Sequence, residues 1–190
     1  MLRRFSILFA ILMGPLISSA SDLVDLSVIT TKGYVTYTVG GDWKVLDMQT
    51  KAPKTSAIFQ INNPADDGTP DSTNLGILTF ETTSAEATAT FEKMAAKHRA
   101  EASARSKHGA WQLFSRQAPQ GKTMYHAKYA IRDVPGAHVF VTFAWPQLPR
   151  NAPGYDAKME ATFLIFLESV KGGLGPKLRK EGEVLRRPLK

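Results

Sequence analysis

The chain has 190 residues, with 24 Lys and Arg against 17 Asp and Glu, no Cys and 43% hydrophobic residues. This length fits one domain, and the apolar and charged fractions are those of a globular protein rather than of a disordered or collagen-like chain. The missing cysteine excludes a disulfide, a thiolate nucleophile, a zinc-finger cluster and a cysteine-linked lipid.

Residues 1–20 have the pattern of a secretory signal. Arg3 and Arg4 precede an apolar run over residues 5–17, and the small residues Ser18-Ser19-Ala20 predict cleavage before Ser21. A membrane anchor is disfavoured because the run is shorter than the roughly 20 residues that span a bilayer. A twin-arginine signal is a further alternative to the ordinary secretion route. We expect a soluble periplasmic or secreted protein that is not a lipoprotein.

The elements of the first half of the mature chain are predicted to be strands. Their β-branched and aromatic runs are bounded by Gly, Pro, Asn and Asp, as is typical of strands and turns. The predicted strands are residues 24–30, 34–39, 43–48, 56–61 and 75–82. A polar, turn-rich loop over residues 62–74 separates the last two.

A helix is predicted next. Thr83 and Glu86 have the spacing of a capping box, with Thr83 as the N-cap. Apolar side chains then recur at helical spacing, and alanine is abundant as far as Ala104. The stripe consists of Phe91, Met94, Ala95, His98 and Ala102. Gly109 is the predicted stop.

Three strands and a second helix complete the predicted fold. The strands are residues 111–116, 124–132 and 138–145, with the turn at residues 134–137. The helix spans residues 154–170, with its apolar stripe at Met159, Phe163, Phe166 and Val170 and a glycine stop at Gly172 or Gly173.

The fold class follows from pairing and from the two faces of the strand over residues 138–145. Consecutive strands with short turns pair antiparallel. Both faces of this strand carry apolar residues, so its sheet needs cover on both sides. The sequence therefore predicts an α+β domain over residues 21–171, with an antiparallel sheet of about six to eight strands sandwiched between two main helices.

The last twenty residues differ from the rest in charge. Residues 21–170 contain 15 basic and 15 acidic side chains, whereas residues 171–190 contain seven basic and two acidic ones. Nucleic-acid-binding domains normally carry their charge on the folded surface, so no nucleic-acid partner is expected. The glycine and proline content predicts a mobile tail over residues 172–190. It is either simply solvated or in weak electrostatic contact with anionic surfaces.

The order and pattern of the elements resemble the PsbP-like, Mog-type fold and the bacterial DcrB-like envelope proteins. The resemblance rests on residues 34–43, 74–78, 125–129, 139–144 and 155–170 and covers most of residues 24–171. It implies a non-enzymatic binding, assembly or chaperone-like role, and it carries over no catalytic residues. The loop over residues 62–74 and the basic tail are not part of that pattern.

The four histidines are the residues most relevant to catalysis or metal binding in this chain. No nucleophile elbow, metal helix, phosphate loop or dinucleotide fingerprint occurs, so we expect no enzyme, no catalytic residue and no cofactor. His98 is predicted to be a packed or edge residue, and His108 to lie beside a helix end. A turn at Pro135-Gly136 would place His138 opposite Asp133 and His126 opposite Trp145. The last two histidines then lie roughly 23 Å apart and cannot share a metal.

Two loops are candidate binding sites. In the first, Asp66, Asp67, Asp71 and Asn74 could bind Ca²⁺ through oxygen ligands, but turn-forming residues explain the same sequence without a metal. In the second, Trp145 and Tyr155 flank a proline-rich loop and could form a rigid contact surface. The alternative for both aromatics is a role in the core.

The leading hypothesis is an exported, non-enzymatic protein that binds a protein or cell-envelope partner. One alternative is a periplasmic immunity or inhibitor protein that recognises a toxin or hydrolase with loops 62–74 and 145–155. Another is a carrier with an apolar pocket lined by Phe91, Met94 and Phe163. A hydrolase without a recognisable motif comes last.

Overall fold

The protein is described from a computed structural model that covers residues 23–61, 72–149 and 151–175, with the backbone alone over residues 184–188. The predicted signal segment lies outside the described residues. Within the described part, neither helix combines the length and apolarity needed to cross a membrane.

The described elements form two antiparallel sheets and two helices. In chain order they are β1 (Leu23–Ile29), β2 (Gly33–Gly40), β3 (Lys44–Gln49), β4 (Lys54–Ile61), β5 (Thr73–Glu81), α1 (Ala85–Glu101), β6 (Ala104–His108), β7 (Trp111–Gln120), β8 (Thr123–Val134), β9 (Ala137–Pro146), α2 (Tyr155–Ser169), β10 (Lys171–Leu174) and β11 (Val184–Pro188). The main sheet has seven strands in the order β3-β4-β5-β9-β8-β7-β6, and the small sheet has four in the order β10-β2-β1-β11. The predicted α+β class with antiparallel pairing is confirmed.

The prediction of one sheet was wrong, because β1 and β2 belong to the small sheet. They pair with each other as a hairpin, and their alternating apolar residues face the core. Tyr37 of β2 packs against Phe166 of α2, with ring centroids 5.9 Å apart. The period-two pattern correctly gives the buried face of each strand but does not specify which strand lies beside it.

The predicted mobile tail contains two strands of the small sheet. β10 pairs with β2, and β11 pairs with β1. A Cβ atom on Gly33 would lie 2.0 Å from the carbonyl oxygen of Gly173, so glycine here permits a close backbone approach. The glycines that predict mobility from the sequence instead allow β10 to pair closely with β2. The fold extends to Pro188.

Helix α1 begins later than predicted, and it also ends earlier. Its N-cap is Ser84, not Thr83, and the Ser84 hydroxyl accepts a hydrogen bond from the Ala87 N–H. The helix ends at Glu101, and residues 104–108 form the unpredicted strand β6 on the edge of β7. Pairing with β7 overrides the alanine-based helix preference there. Gly109, with φ +55°, lies in the β6–β7 turn rather than at a helix end.

A buried carboxylate ties the two sheets together. Glu81, at the end of β5, is 5% exposed. It accepts hydrogen bonds from the Thr31 N–H, at 2.8 Å, and from the Thr31 hydroxyl, in the β1–β2 turn. The turn of the small hairpin is thereby fixed against the main sheet, and the charge is satisfied by hydrogen bonds.

The apolar core consists of two clusters that draw on neighbouring residues of β9. The larger contains Val139, Val141, Phe143 and Trp145, together with buried residues of α2 and of the small sheet. The smaller contains Phe140, together with buried residues of α1. Adjacent strand residues point to opposite faces, so both faces of β9 are buried, as its sequence predicted.

Candidate functional site

The β8–β9 hairpin has the predicted register. Gly136, with φ +84°, lies in its turn, His138 pairs with Asp133, and His126 pairs with Trp145. His126 and His138 therefore lie toward opposite ends of the hairpin. Among the described residues, no three His, Asp or Glu side chains are grouped closely enough to hold a metal ion.

Three of the four histidines have structural contacts away from the candidate loops. His98 stacks on Tyr129 with ring centroids 4.0 Å apart, so its predicted packing role is confirmed. His138 stacks on Phe91 and lies 2.7 Å from the Asp133 carboxylate. His108 was predicted beside a helix end, which was wrong: it ends β6 and contacts Glu168 of α2.

The two predicted binding loops are attached at the same end of the strands of the main sheet. We call this region the loop end. Ile61 pairs with Thr73, so the segment between β4 and β5 leaves and returns there. Asn74, the next residue, pairs with Ala144, two residues before the end of β9. The Thr73 and Tyr155 hydroxyls lie 2.6 Å apart and join the start of β5 to the start of α2. Asp66, Asp67 and Asp71 lie outside the described residues.

The aromatic residues predicted to bind are core residues. Trp145 is 2% exposed and Tyr155 is 6% exposed. The Trp145 indole N–H donates to Asp156 Oδ1 at 2.8 Å. The structure therefore supports the core alternative for both side chains, which hold the two ends of the β9–α2 loop in place. Asn74 is a residue of β5, and its side-chain amide bonds locally to Ser72.

Asp156 and His126 form the polar centre of the loop end. Asp156 Oδ2 lies 3.5 Å from His126 Nε2, and Gln147 Nε2 also contacts that nitrogen. The Gln147 N–H donates to the Met124 carbonyl at 2.8 Å, and the Asn151 amide donates to the Pro146 carbonyl at 2.8 Å. The described part of the loop is therefore held by hydrogen bonds at several points and presents a defined shape.

Two open cavities flank Asp156. One, of about 590 Å³, is lined by the β9–α2 loop, including Leu148 and Ala152. The other, of about 260 Å³, is lined by His126, Ser115, Arg116 and the ion pair of Lys128 with Glu160. Arg116 also pairs with Glu101, which lies outside this lining. The charges around the second cavity are balanced. The cavity therefore suits a partner surface of mixed charge better than it suits a simple anion.

Asp156 and Gln147 were missed as site residues by the sequence analysis. The predicted His126–Trp145 pairing was the one available signal, because it placed a titratable side chain beside the loop. Nothing local indicates that Asp156, in the first turn of α2, contacts both partners of that pair. The contact depends on how α2 packs on the sheet.

The cavity expected for an apolar carrier does not form from the predicted residues. Phe91 belongs to the smaller cluster and Phe163 to the larger one. Phe163 is fully buried, and its ring stacks on Phe143 with the centroids 5.5 Å apart. Phe91 and Phe163 therefore cannot line one pocket.

Two groups outside the loop end, buried Tyr37 and half-buried His98, have shifted pKa values. Burial raises the pKa of Tyr37 far above its ordinary value, so this phenol stays neutral within the larger cluster. Burial, followed by the positive charge of Arg116, lowers the pKa of His98. Neither group lines the loop-end cavities, and neither indicates proton-transfer chemistry there.

Comparison of this chain with family models, curated proteins and solved structures finds no match.

Proposed function

We propose that this is an exported, non-enzymatic protein that binds a protein partner through the loop end. The observation that carries the proposal is that the anchor points of two long loops lie together at one end of the main sheet, where Thr73 contacts Tyr155 and where buried Trp145 and Tyr155 hold one of the loops. A rigid loop beside open cavities loses little conformational entropy when it binds. Binding residues of folded domains are disproportionately found on loops that a stable scaffold positions.

The chemistry of the loop end favours a protein partner over a small molecule. The cavities are open, and their charges are arranged as ion pairs around His126 and Asp156. Sites for small molecules are usually enclosed and mostly apolar. Exposed, balanced charge at the rim sets the orientation and specificity of a protein interface.

The test is capture of partners with matched surface variants. Ala152 and Ala110 are both exposed, but only Ala152 lines the loop-end cavity. We expect Ala152→Arg to lose proteins that wild type retains from a periplasmic extract, and Ala110→Arg to retain them. If both variants retain the same proteins, the loop end is not the binding surface. Thermal melts of the three proteins control for folding.

A second candidate is an immunity or inhibitor protein. The shared anchor points favour it, because recognition by loops 62–74 and 145–155 requires both loops to reach one partner. We expect such a partner to be a toxin or hydrolase whose activity falls when the protein is added. Ala152→Arg should relieve the inhibition. A partner whose activity is unchanged at saturation would exclude this role and leave an accessory or assembly role.

We also propose the PsbP-like, Mog-type arrangement for the whole domain. In it, α1 covers one face of the main sheet, and α2 with the small sheet covers the other. The separate clusters around Phe140 and Val141 support this layering. An experimental structure that placed both helices on one face would contradict it.

Export is the remaining part of the proposal. The pattern of the first twenty residues supports cleavage before Ser21 and release of a soluble chain. N-terminal sequencing of the exported protein should return Ser21 as its first residue. Recovery of Met1 in the membrane fraction would contradict both cleavage and release.

A further inference from the structure

We propose that His126 is a pH-sensitive switch that changes the shape of the loop end. Its ring nitrogen Nε2 has two neighbours of opposite kind. The carboxylate oxygen Oδ2 of Asp156 lies 3.5 Å away, and the side-chain nitrogen Nε2 of Gln147 also contacts it. The protonation state of this ring nitrogen selects one of them. The effect of the switch on partner binding rests on the function proposed above, whereas the switch itself does not.

The described arrangement is that of a His126 ring without a proton on Nε2. A ring nitrogen in that state accepts a hydrogen bond, and the amide nitrogen of Gln147 can only donate one. The Asp156 carboxylate is an acceptor as well, so it cannot bond to the same nitrogen. Its distance of 3.5 Å is accordingly longer than the roughly 2.7–2.9 Å of a charge-assisted hydrogen bond. In this state Gln147 is the partner of the ring.

Protonation of Nε2 reverses the choice of partner. The nitrogen then donates, and the negatively charged Asp156 carboxylate is a stronger acceptor than any neutral group beside it. The carboxylate is already positioned, because its other oxygen, Oδ1, accepts a hydrogen bond from the Trp145 indole N–H at 2.8 Å. The Gln147 amide N–H now faces another donor and loses its bond. Asp156 becomes the partner of the ring.

The remaining charged groups around His126 are already paired with each other. Across the smaller cavity, the ring faces Lys128 of β8, Arg116 of β7 and Glu160 of α2. Lys128 pairs with Glu160, and Arg116 pairs with Glu101 at the end of α1. These four charges cancel in two ion pairs, so they favour neither state of the ring.

Asp156 is the group that stabilises the charged ring. Among the described residues that line the smaller cavity, it is the one carboxylate without a Lys or Arg partner. The Trp145 ring of β9, with its centroid 5.2 Å from that of His126, carries no charge. A single carboxylate therefore receives the proton of the imidazolium.

The released side chain of Gln147 has space to turn into. Gln147 lines the larger loop-end cavity, of about 590 Å³, whereas His126 lines the smaller one. The backbone of Gln147 stays in place, because its N–H donates to the Met124 carbonyl at 2.8 Å. Protonation thus moves one amide group into the larger cavity and leaves the loop backbone unchanged. A partner that fits the open cavity at neutral pH should bind less well at acidic pH.

Solution NMR of the chain from Ser21 to Lys190 tests the switch without any partner. The titration runs from about pH 8 to about pH 5, on either side of the ordinary histidine value of about 6.5. At the upper end we expect a nuclear Overhauser contact between the Gln147 side-chain amide protons and the His126 ring. This contact should be lost as the His126 ring takes up its proton, and with the same midpoint.

A matched pair of variants assigns the transition to His126. His126 and His138 lie on the same hairpin, and each has a carboxylate beside it, Asp156 and Asp133 respectively. In His126→Gln the signals of the Gln147 amide should no longer change with pH in this range. In His138→Gln they should change as in wild type. Thermal melts of both variants control for folding.

A conservative change tests Asp156 as the acceptor. Asp156→Asn keeps a carbonyl oxygen that can accept from the Trp145 indole but removes the charge that stabilises the imidazolium. The affinity of the His126 ring for its proton should fall about threefold, the size expected for a largely exposed ion pair. The midpoint of the Gln147 transition should move to lower pH by the same factor. An unchanged midpoint would exclude Asp156 as the acceptor.

The effect on binding is tested with the proteins that wild type retains and Ala152→Arg loses. Wild type should retain about fivefold less of them near pH 5.5 than near pH 7.5, the effect of roughly one interfacial hydrogen bond. His126→Gln should retain equal amounts at both values. Equal retention by wild type would exclude regulation by pH. If Ala152→Arg loses no protein, the proposed binding function fails, and the NMR titration still decides the switch.

Either of two NMR results overturns the switch. One is a contact between Gln147 and His126 that persists while the His126 ring gains its proton. The other is a transition of the Gln147 amide that survives in His126→Gln or disappears in His138→Gln.

Discussion

The two hydrophobic clusters are assembled from different parts of the chain. The smaller cluster uses residues from Phe80 to Phe140, where α1 follows β5 directly. The larger cluster runs from Leu26 to Val170 and depends on the small sheet, which β10 and β11 complete from the other end of the chain. The smaller cluster can form from one continuous stretch, whereas the larger requires both ends of the domain to meet. Four predictions test this difference.

Loss of a ring from the centre of the larger cluster should have the largest effect. Phe163→Ala is expected to cost about 3–5 kcal/mol, through lost transfer energy and the cavity left beside Phe143. That is a large share of the roughly 5–15 kcal/mol that keeps a domain folded. Urea melts of this variant and of the four single His→Ala variants should rank it first. Equal cost for His98→Ala or His126→Ala would contradict the assignment of the core.

The matching change in the smaller cluster should cost less. Phe91 stacks on His138, whose side chain is 15% exposed, so the site can relax toward water. We expect Phe91→Ala to cost about 3 kcal/mol, the lower end for a buried ring. If the clusters are independent, the double variant with Phe163→Ala should be additive within about 0.5 kcal/mol in urea melts. A larger coupling energy would show that the two clusters are not independent.

Removal of the last strand should destabilise the larger cluster alone. A chain that stops at Gly175 lacks β11, so β1 becomes an edge strand. We expect a loss of at least about 1 kcal/mol from the missing backbone pairing. Thermal melts compare it with the full chain carrying Lys177→Gln and Arg179→Gln, which keeps β11. Equal melting of the truncated and full chains would support the sequence-based prediction of a mobile tail.

The smallest effect should appear as a pH dependence of the smaller cluster. Burial is the first cause of the lowered pKa of His98, so the unfolded chain binds this proton more readily than the folded one. Stability should therefore fall as pH drops below the ordinary histidine value of about 6.5 and level off below the folded pKa. Urea melts across this range should show a smaller decline for His98→Gln. An identical decline in both proteins would assign the effect to other groups.

The candidate site was only partly predictable, because some of its contacts join segments that lie far apart in the sequence. The turn at Pro135-Gly136 and the alternation of β8 and β9 correctly paired His126 with Trp145. The sequence also marked Trp145 and Tyr155 as notable but left their roles open. Asp156 and Gln147 were missed because their contacts with His126 join segments that only the packed fold brings together.

The sequence by itself determined what depends on near neighbours. Helical spacing located α1 and α2, period-two alternation gave the buried faces of the strands, and one glycine turn set the register of β8 on β9. These features follow from local backbone geometry and side-chain direction.

Only the tertiary structure decided which strands share a sheet. Strand β6 arose in a segment expected to be helical, and β10 and β11 arose in a segment expected to be mobile. All three are short, and their sequences lack the alternating apolar pattern of a half-buried strand. They are strands because backbone groups of β7, β2 and β1 offer hydrogen-bond partners there, and those partners lie beyond the reach of any local pattern.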